Sequence, residues 1–245
     1  MKRLLTLLLL WPLLLAAKTP VEADVLDRIT DQRSPYYYTG LWMRYTNGDR
    51  TLTDDDYHYL YYGYAYLEAY KPFATNPDME QMLVLASGID PDKTDRETLE
   101  ALLRTARAAW ERDPFSPKIL NMLTFVHQAL GDKEQAELWA ARMNGVVRAI
   151  IGSGDGLTQH TPRHILWFDH ANDVMAAEGF AHGKARVVSR TVEVMPLLSP
   201  PVIDGKKRKG IYFDFSRIYR NKPEGYTYKR DRTWQFNNLK PRTYK

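Results

Sequence analysis

Residues 53–72 read TDDDYHYLYYGYAYLEAYKP and hold seven of the chain's 16 tyrosines, all between Tyr57 and Tyr70. Two readings compete. Tyr57, Tyr59 and Tyr61, then Tyr62, Tyr64 and Tyr66, recur at spacing two, as in a strand with one slip. The start of the segment favours a helix. Thr53 followed by Asp54, Asp55 and Asp56 is a capping box with acids in the first turn, where free amides and the helix dipole favour negative charge. Leu60, Tyr64 and Leu67 then share one face, and Tyr59, Tyr62, Tyr66 and Tyr70 cover much of the other. Aromatic residues on nearly every side predict a helix buried between neighbours, ending before Lys71-Pro72. Each phenol still needs a hydrogen-bond partner. A tyrosine-lined ligand groove is the competing functional reading, with Tyr59, Tyr62 and Tyr66 as candidate binding residues.

Working outward, residues 21–32 place Val25, Leu26 and Ile29 on one helical face. Ser34-Pro35 reads as an N-cap with a first-turn proline for a helix over 35–46, stopped at Asn47-Gly48. Asn76-Pro77 opens a helix to about Ala86. Residues 94–97 form a second capping box, ahead of a helix over 95–112 whose inner stripe is Leu99, Leu102, Leu103, Ala106 and Trp110. Asp113-Pro114 breaks it. Residues 115–150 then pair two helices about a Gly131-Asp132 turn, with small residues at Ala129, Ala136 and Ala140. This order resembles a tetratricopeptide repeat, in which small residues let paired helices approach closely.

The texture changes at residues 152–156, GSGDG, a loop. Residues 163–170, RHILWFDH, are predicted as a buried strand and 171–179 as a short helix. Residues 186–195 are predicted as a strand, 196–205 as a connection, and 209–219 as a half-buried strand with Ile211, Phe213 and Phe215 inward. The expected fold class is α+β, mainly α: tetratricopeptide-like helical hairpins plus a small C-terminal antiparallel β-sheet. One globular domain is expected over 18–220, helical over 22–151 and α+β over 152–220.

Residues 1–17 carry Lys2 and Arg3, an apolar run from Leu4 to Leu15, then Ala16 and Ala17. This is the pattern of a signal peptide, too short for a membrane span. It predicts export to the periplasm or beyond, with cleavage at Ala17. The chain has no cysteine, which excludes a cysteine-anchored lipoprotein, disulfides and thiolate chemistry. No later stretch is apolar enough to cross a bilayer, so an integral membrane protein is not expected after cleavage. The formal charge of +4 hides an asymmetry: residues 21–113 carry 10 Lys/Arg against 18 Asp/Glu, and residues 206–245 carry 13 against 3. The basic end, with a tail over 221–245, suits solvent, the acidic half of the same fold, or an anionic glycan. An exported location speaks against nucleic acid.

Candidate chemistry is sparse. The 152–156 loop lacks a phosphate-loop lysine and follows a helix, so it is no nucleotide fingerprint; Asp155 is its candidate binding residue. His160, His164, Asp169 and His170 are the densest titratable group, and His164, Asp169 and His170 are the candidate catalytic residues. On one strand, His164 and His170 would lie roughly 20 Å apart, too far to share a metal. No metal site or cofactor is expected, and no serine sits in a nucleophile elbow.

Several phrases carry a family resemblance: SPYYY at 34–38, LTDDDYHYLYYGYAYLEAYKP at 52–72, SGDG at 153–156, the histidine-bearing segment after it, and GIYFDFSRIY at 210–219. Together they resemble the secreted bacterial family known as domain of unknown function forty-nine nineteen, over roughly residues 24–220. The resemblance implies export and a shared fold and brings no mechanism. The extension past Asn221 is longer and more basic than the family pattern. The expected function is a non-enzymatic binding or scaffold module of the periplasm or cell envelope, partnered by another envelope protein or an anionic glycan. The alternative is a hydrolase or metal-dependent enzyme using residues 160–170.

Overall fold

The computed structural model describes residues 17–90, 94–203 and 206–224. Of the predicted signal peptide only Ala17 falls within them, and the predicted basic tail lies outside them from residue 225 onward.

Among the described residues seven helices precede the first strand: α1 (Glu22–Thr30), α2 (Tyr38–Thr46), α3 (Asp54–Tyr64), α4 (Pro77–Ser87), α5 (Arg96–Arg112), α6 (Pro117–Ala129) and α7 (Lys133–Ile151). Their starts follow side-chain capping. Thr53 Oγ1 accepts from the Asp56 amide at 3.1 Å while Asp56 Oδ2 accepts from the Thr53 amide at 2.8 Å, the predicted capping box of α3. Asn76, Ser116 and Asp132 cap α4, α6 and α7, each side chain accepting the amide three residues on. At α5 the cap is Asp95, one residue after the predicted Thr94. At α2 the predicted start at Pro35 moves to Tyr38. Residues 34–37 form a turn instead, closed by the Tyr37 amide on the Ser34 carbonyl, and Tyr36 packs on Tyr59 with ring centroids 4.3 Å apart.

The α6–α7 hairpin turns at Gly131, whose φ of +84° suits a residue without Cβ. Against the other face of α7 lies α3, at very close range. A Cβ on Gly145 would come within 2.3 Å of the Tyr57 ring, so only glycine lets the two backbones approach this far. Helix α3 is buried on all sides from Asp56 to Tyr64, as its aromatic surface predicts. It ends at Tyr64, six residues before the predicted stop. Residues 65–70 coil through three-residue turns, with the Tyr66, Leu67 and Tyr70 amides reaching the Gly63, Tyr64 and Leu67 carbonyls. That coil brings the Tyr70 ring against Trp167, 5.1 Å between centroids.

The C-terminal third departs further from expectation. The apolar run 163–170 splits into a two-residue strand β1 (Arg163–His164), an irregular link, and helix α8 (Phe168–Ala177). The predicted strand 186–195 is a hairpin, β2 (Arg186–Val187) against β3 (Val192–Pro196). A small ribbon, β4 (Val202–Ile203) with β5 (Lys206–Lys207), starts in the predicted connection and ends just beyond it. Strand β6 (Gly210–Asp214) is followed by helix α9 (Ser216–Arg220). The four-stranded sheet has the order β1-β6-β3-β2 and is mixed, because β1 runs parallel to β6. The fold is α+β and mainly α, as predicted; the wholly antiparallel sheet is corrected.

The irregular link shows what the tyrosines do. Its backbone groups lack a continuous ladder and need other partners. The Leu166 amide donates to Tyr61 Oη at 3.0 Å, the Leu166 carbonyl accepts from the Tyr70 hydroxyl at 2.5 Å, and the His164 carbonyl accepts from the Tyr62 hydroxyl at 2.9 Å. Three phenols of the tyrosine segment thus satisfy the His164 carbonyl and both backbone groups of Leu166, where pairing with β6 runs out after the Ile165 amide on the Asp214 carbonyl. Burying such rings contributes about 1.5–3 kcal/mol each through apolar area alone.

Candidate functional site

The coil after α3, the end of α5 and the start of α8 meet around an open cleft of about 400 Å³. Tyr64 and Trp167 stand side by side in its wall, ring centroids 5.7 Å apart and 30° from parallel. Asn76, Asp113, Ser116 and Asp169 supply polar groups. Asp113 is held there by the sequence DPFSP at 113–117. Its Oδ1 accepts from the Phe115 amide at 3.3 Å, and the residue is 8 % exposed. Asp169 is half exposed and lies 3.8 Å from Lys118 Nζ. Burial, then the Asp113 charge, push the Tyr64 phenol up to about 12, so it stays a neutral donor at physiological pH.

Behind Asp113 lies a buried chain. Nε2 of His170 stands 3.5 Å from Asp113 Oδ2 and makes no hydrogen bond, while Nδ1 lies 2.8 Å from the Tyr61 hydroxyl. His170 is fully buried. Neighbouring Asp173 accepts from the Lys118 amide at 3.3 Å, and burial raises its carboxyl above the usual range.

The other histidines of the sequence cluster go elsewhere. His164 Nδ1 lies 3.2 Å from Arg217 Nη1 and 3.1 Å from Asp214 Oδ2. The guanidinium can only donate and the carboxylate only accept, so a given tautomer satisfies one of them. Burial works against the Asp214 carboxylate, but bonding to His164 and Ser216 holds it below its ordinary range. Arg217, 7 % exposed, also donates to the Pro20 carbonyl and lies over the Tyr62 ring at 5.3 Å. His160 is exposed on a turn beside Gln159. Residues 160–170 therefore divide among three environments. Among the described residues no group of three or more His, Asp or Glu is placed to hold a metal ion.

The candidate binding residues also disperse. Tyr59 donates to Asp24 Oδ2 at 2.9 Å. Tyr62 is in the core, and the Tyr66 hydroxyl is buried without a partner. Asp155 caps its own loop, accepting from the Leu157 amide at 2.8 Å and the Thr161 hydroxyl at 2.6 Å. Sequence reasoning missed Tyr64, Asn76, Asp113, Trp167, Asp214 and Arg217. An Asp before Pro at a helix end was read as a breaker, and its closeness to His170 is set by packing across 57 residues of chain, which local pattern does not encode.

The profile of the family described as Domain of unknown function (DUF4919) matches residues 23–224. The chain belongs to this family. The match takes in the tyrosine helix, the cleft and the sheet together, and ends four residues into the basic tail. No curated protein and no solved structure matches the chain. Among the described residues no helix is long and apolar enough to cross a membrane.

Proposed function

We propose that the protein is an exported, non-enzymatic binding module of the periplasm or cell envelope, and that its ligand is a neutral glycan taken up in the Tyr64–Trp167 cleft. The observation that carries this reading is the partly exposed Trp167 ring, backed by the buried Tyr64 ring, beside the carboxylates of Asp113 and Asp169 in one open concavity. Aromatic walls with a few convergent polar groups suit a ring that is apolar on its faces and hydroxylated at its edge. Glu80, Glu111, Asp113 and Asp169 outnumber Lys71 and Arg112 around the opening, which disfavours an anionic ligand there. An anionic glycan or another envelope protein fits better at the basic end, residues 206–245.

The experiment is a titration of the purified protein with maltohexaose, cellohexaose and chitohexaose, followed by calorimetry and tryptophan fluorescence. Saturable binding of one of them, lost in Trp167→Ala, supports the reading. No saturable binding, or binding that Trp167→Ala leaves intact, overturns it.

One observation favours a second reading, a hydrolase. Asp113 faces the cleft, and 3.5 Å behind it stands a buried imidazole nitrogen that lacks a hydrogen bond, a carboxylate and an imidazole side by side as in acid–base sites. Release of reducing ends from the same oligosaccharides, abolished by Asp113→Asn, distinguishes the enzyme from the binding module.

A further inference from the structure

A second cleft, of about 380 Å³, opens between the start of α3 and the end of α7, and Ala17, Lys18, Asp55, His58, Arg148 and Asp155 are in its lining. Unlike the first cleft, it contains the beginning of the described chain. Residues 18–20 are fixed there at every step. The Lys18 amide donates to the Gly152 carbonyl at 2.7 Å, the Thr19 hydroxyl to the Ser153 carbonyl at 3.3 Å, and the Pro20 carbonyl accepts from Arg217. The Lys18 side chain reaches Asp55 at 2.6 Å and lies over the Tyr59 ring at 4.4 Å. Ala17, immediately before, is exposed.

We propose that this cleft is a receptor for a primary ammonium group, the chain's own, created when the bond between Ala17 and Lys18 is cut. The inference rests on the export reading. In the cleavage, water adds across the amide catalysed by a membrane-bound peptidase. The carbon–nitrogen bond breaks, Ala17 leaves as a carboxylate, and the Lys18 nitrogen becomes –NH₃⁺. That nitrogen already sits on the Gly152 carbonyl, at the C-terminal end of α7, where the helix dipole favours a cation. Asp54, Asp55 and Asp155 in the lining stand against Lys18 Nζ and Arg148, with Asp24 and Arg217 also acting on His58 from behind. Asp54 is taken by Arg148 at 2.7 Å and Asp55 by Lys18 Nζ. His58 adds no charge near neutrality, because burial, then Lys18, lower it to about 4. The new ammonium adds a positive charge beside these carboxylates and gains two donors that the uncut amide lacks.

Two measurements test this. The first is the intact mass of the protein made with its full N-terminus in a bacterial host, fraction by fraction. The expected result is an exported chain beginning at Lys18. An exported chain cut at another bond overturns the receptor and leaves export standing; an uncut chain retained in the cytoplasm overturns both. The second compares melting temperatures of three chains, one beginning at Lys18, one Nα-acetylated at Lys18 and one beginning at Ala17. The Lys18 chain should melt several degrees higher at pH 7. A bound ammonium has its pKa raised in the fold. Its advantage is therefore complete below the unfolded value of about 7.7–8.0 and disappears as pH rises through the folded one. Equal melting of the three chains at pH 7, or an advantage that pH does not remove, overturns the proposal.

Discussion

The hydroxyl of Tyr61 lies 2.8 Å from Nδ1 of His170, joining residues 109 positions apart in the chain. That oxygen also accepts the Leu166 amide, which leaves its own proton able to go to His170 Nδ1. In the neutral ring the imidazole proton then sits on Nε2, facing Asp113. A single phenol thus joins a backbone link to the histidine behind the cleft.

Tyr61→Phe keeps the ring and removes both bonds. The Leu166 amide is left buried without an acceptor, which costs about 1–3 kcal/mol, more than the loss of an average hydrogen bond. Urea denaturation should show the midpoint falling at unchanged slope. A variant as stable as the parent would mean that the hydroxyl is not needed to hold the link.

Gly145→Ala sets two effects against each other. Alanine gains about 1 kcal/mol of helix propensity over glycine. The added methyl would sit 2.3 Å from the Tyr57 ring, and overpacking of that kind costs about 1–3 kcal/mol, with the α3–α7 pair unable to separate cheaply. The net expected outcome is destabilisation in thermal melts. In contrast, alanine at Gly40, which has no neighbour within 4 Å of an added Cβ, should raise stability.

His58 should make folding pH-dependent in acid. Its pKa, about 4 in the fold, lies below the unfolded value of about 6.5. Between those values the unfolded chain binds more protons, so stability rises with pH across this window and is fully present above it. The fall from pH 6.5 to 4 attributable to this residue is of order 3 kcal/mol. His58→Gln should flatten the profile there; parallel profiles for parent and variant would refute the assignment.

Arg217→Leu removes a guanidinium that bonds His164 and the Pro20 carbonyl in a buried setting. Taking away one member of such a buried set costs about 3–5 kcal/mol. Limited proteolysis should find new cuts at residues 17–21 before any in the helices. Cuts appearing everywhere at once would show that Arg217 supports the whole fold rather than this strap.

The helical half was legible because its signals are local. Thr53, Asn76, Ser116 and Asp132 each cap the helix that follows within three residues, and the periodic apolar faces behind them need no distant partner. The sheet was not, because strands of two residues such as Arg163–His164 and Arg186–Val187 exist only through partners elsewhere. The run 163–170 reads as one strand because it is apolar. It breaks at Leu166 because Tyr61 and Tyr70 offer its backbone an alternative to a ladder. The cleft was invisible for the same reason: Tyr64, Asp113 and Trp167 come from three separated stretches, each with an ordinary local role.

The bond from Arg217 to the Pro20 carbonyl spans 197 residues. The earliest part of the described chain is latched by one of its last helices. During synthesis, therefore, this clasp must stay open until nearly all of the polypeptide has been made, and contacts of such separation form late and slowly. A nascent chain unable to close on itself remains threadable, a property that the proposed export would use.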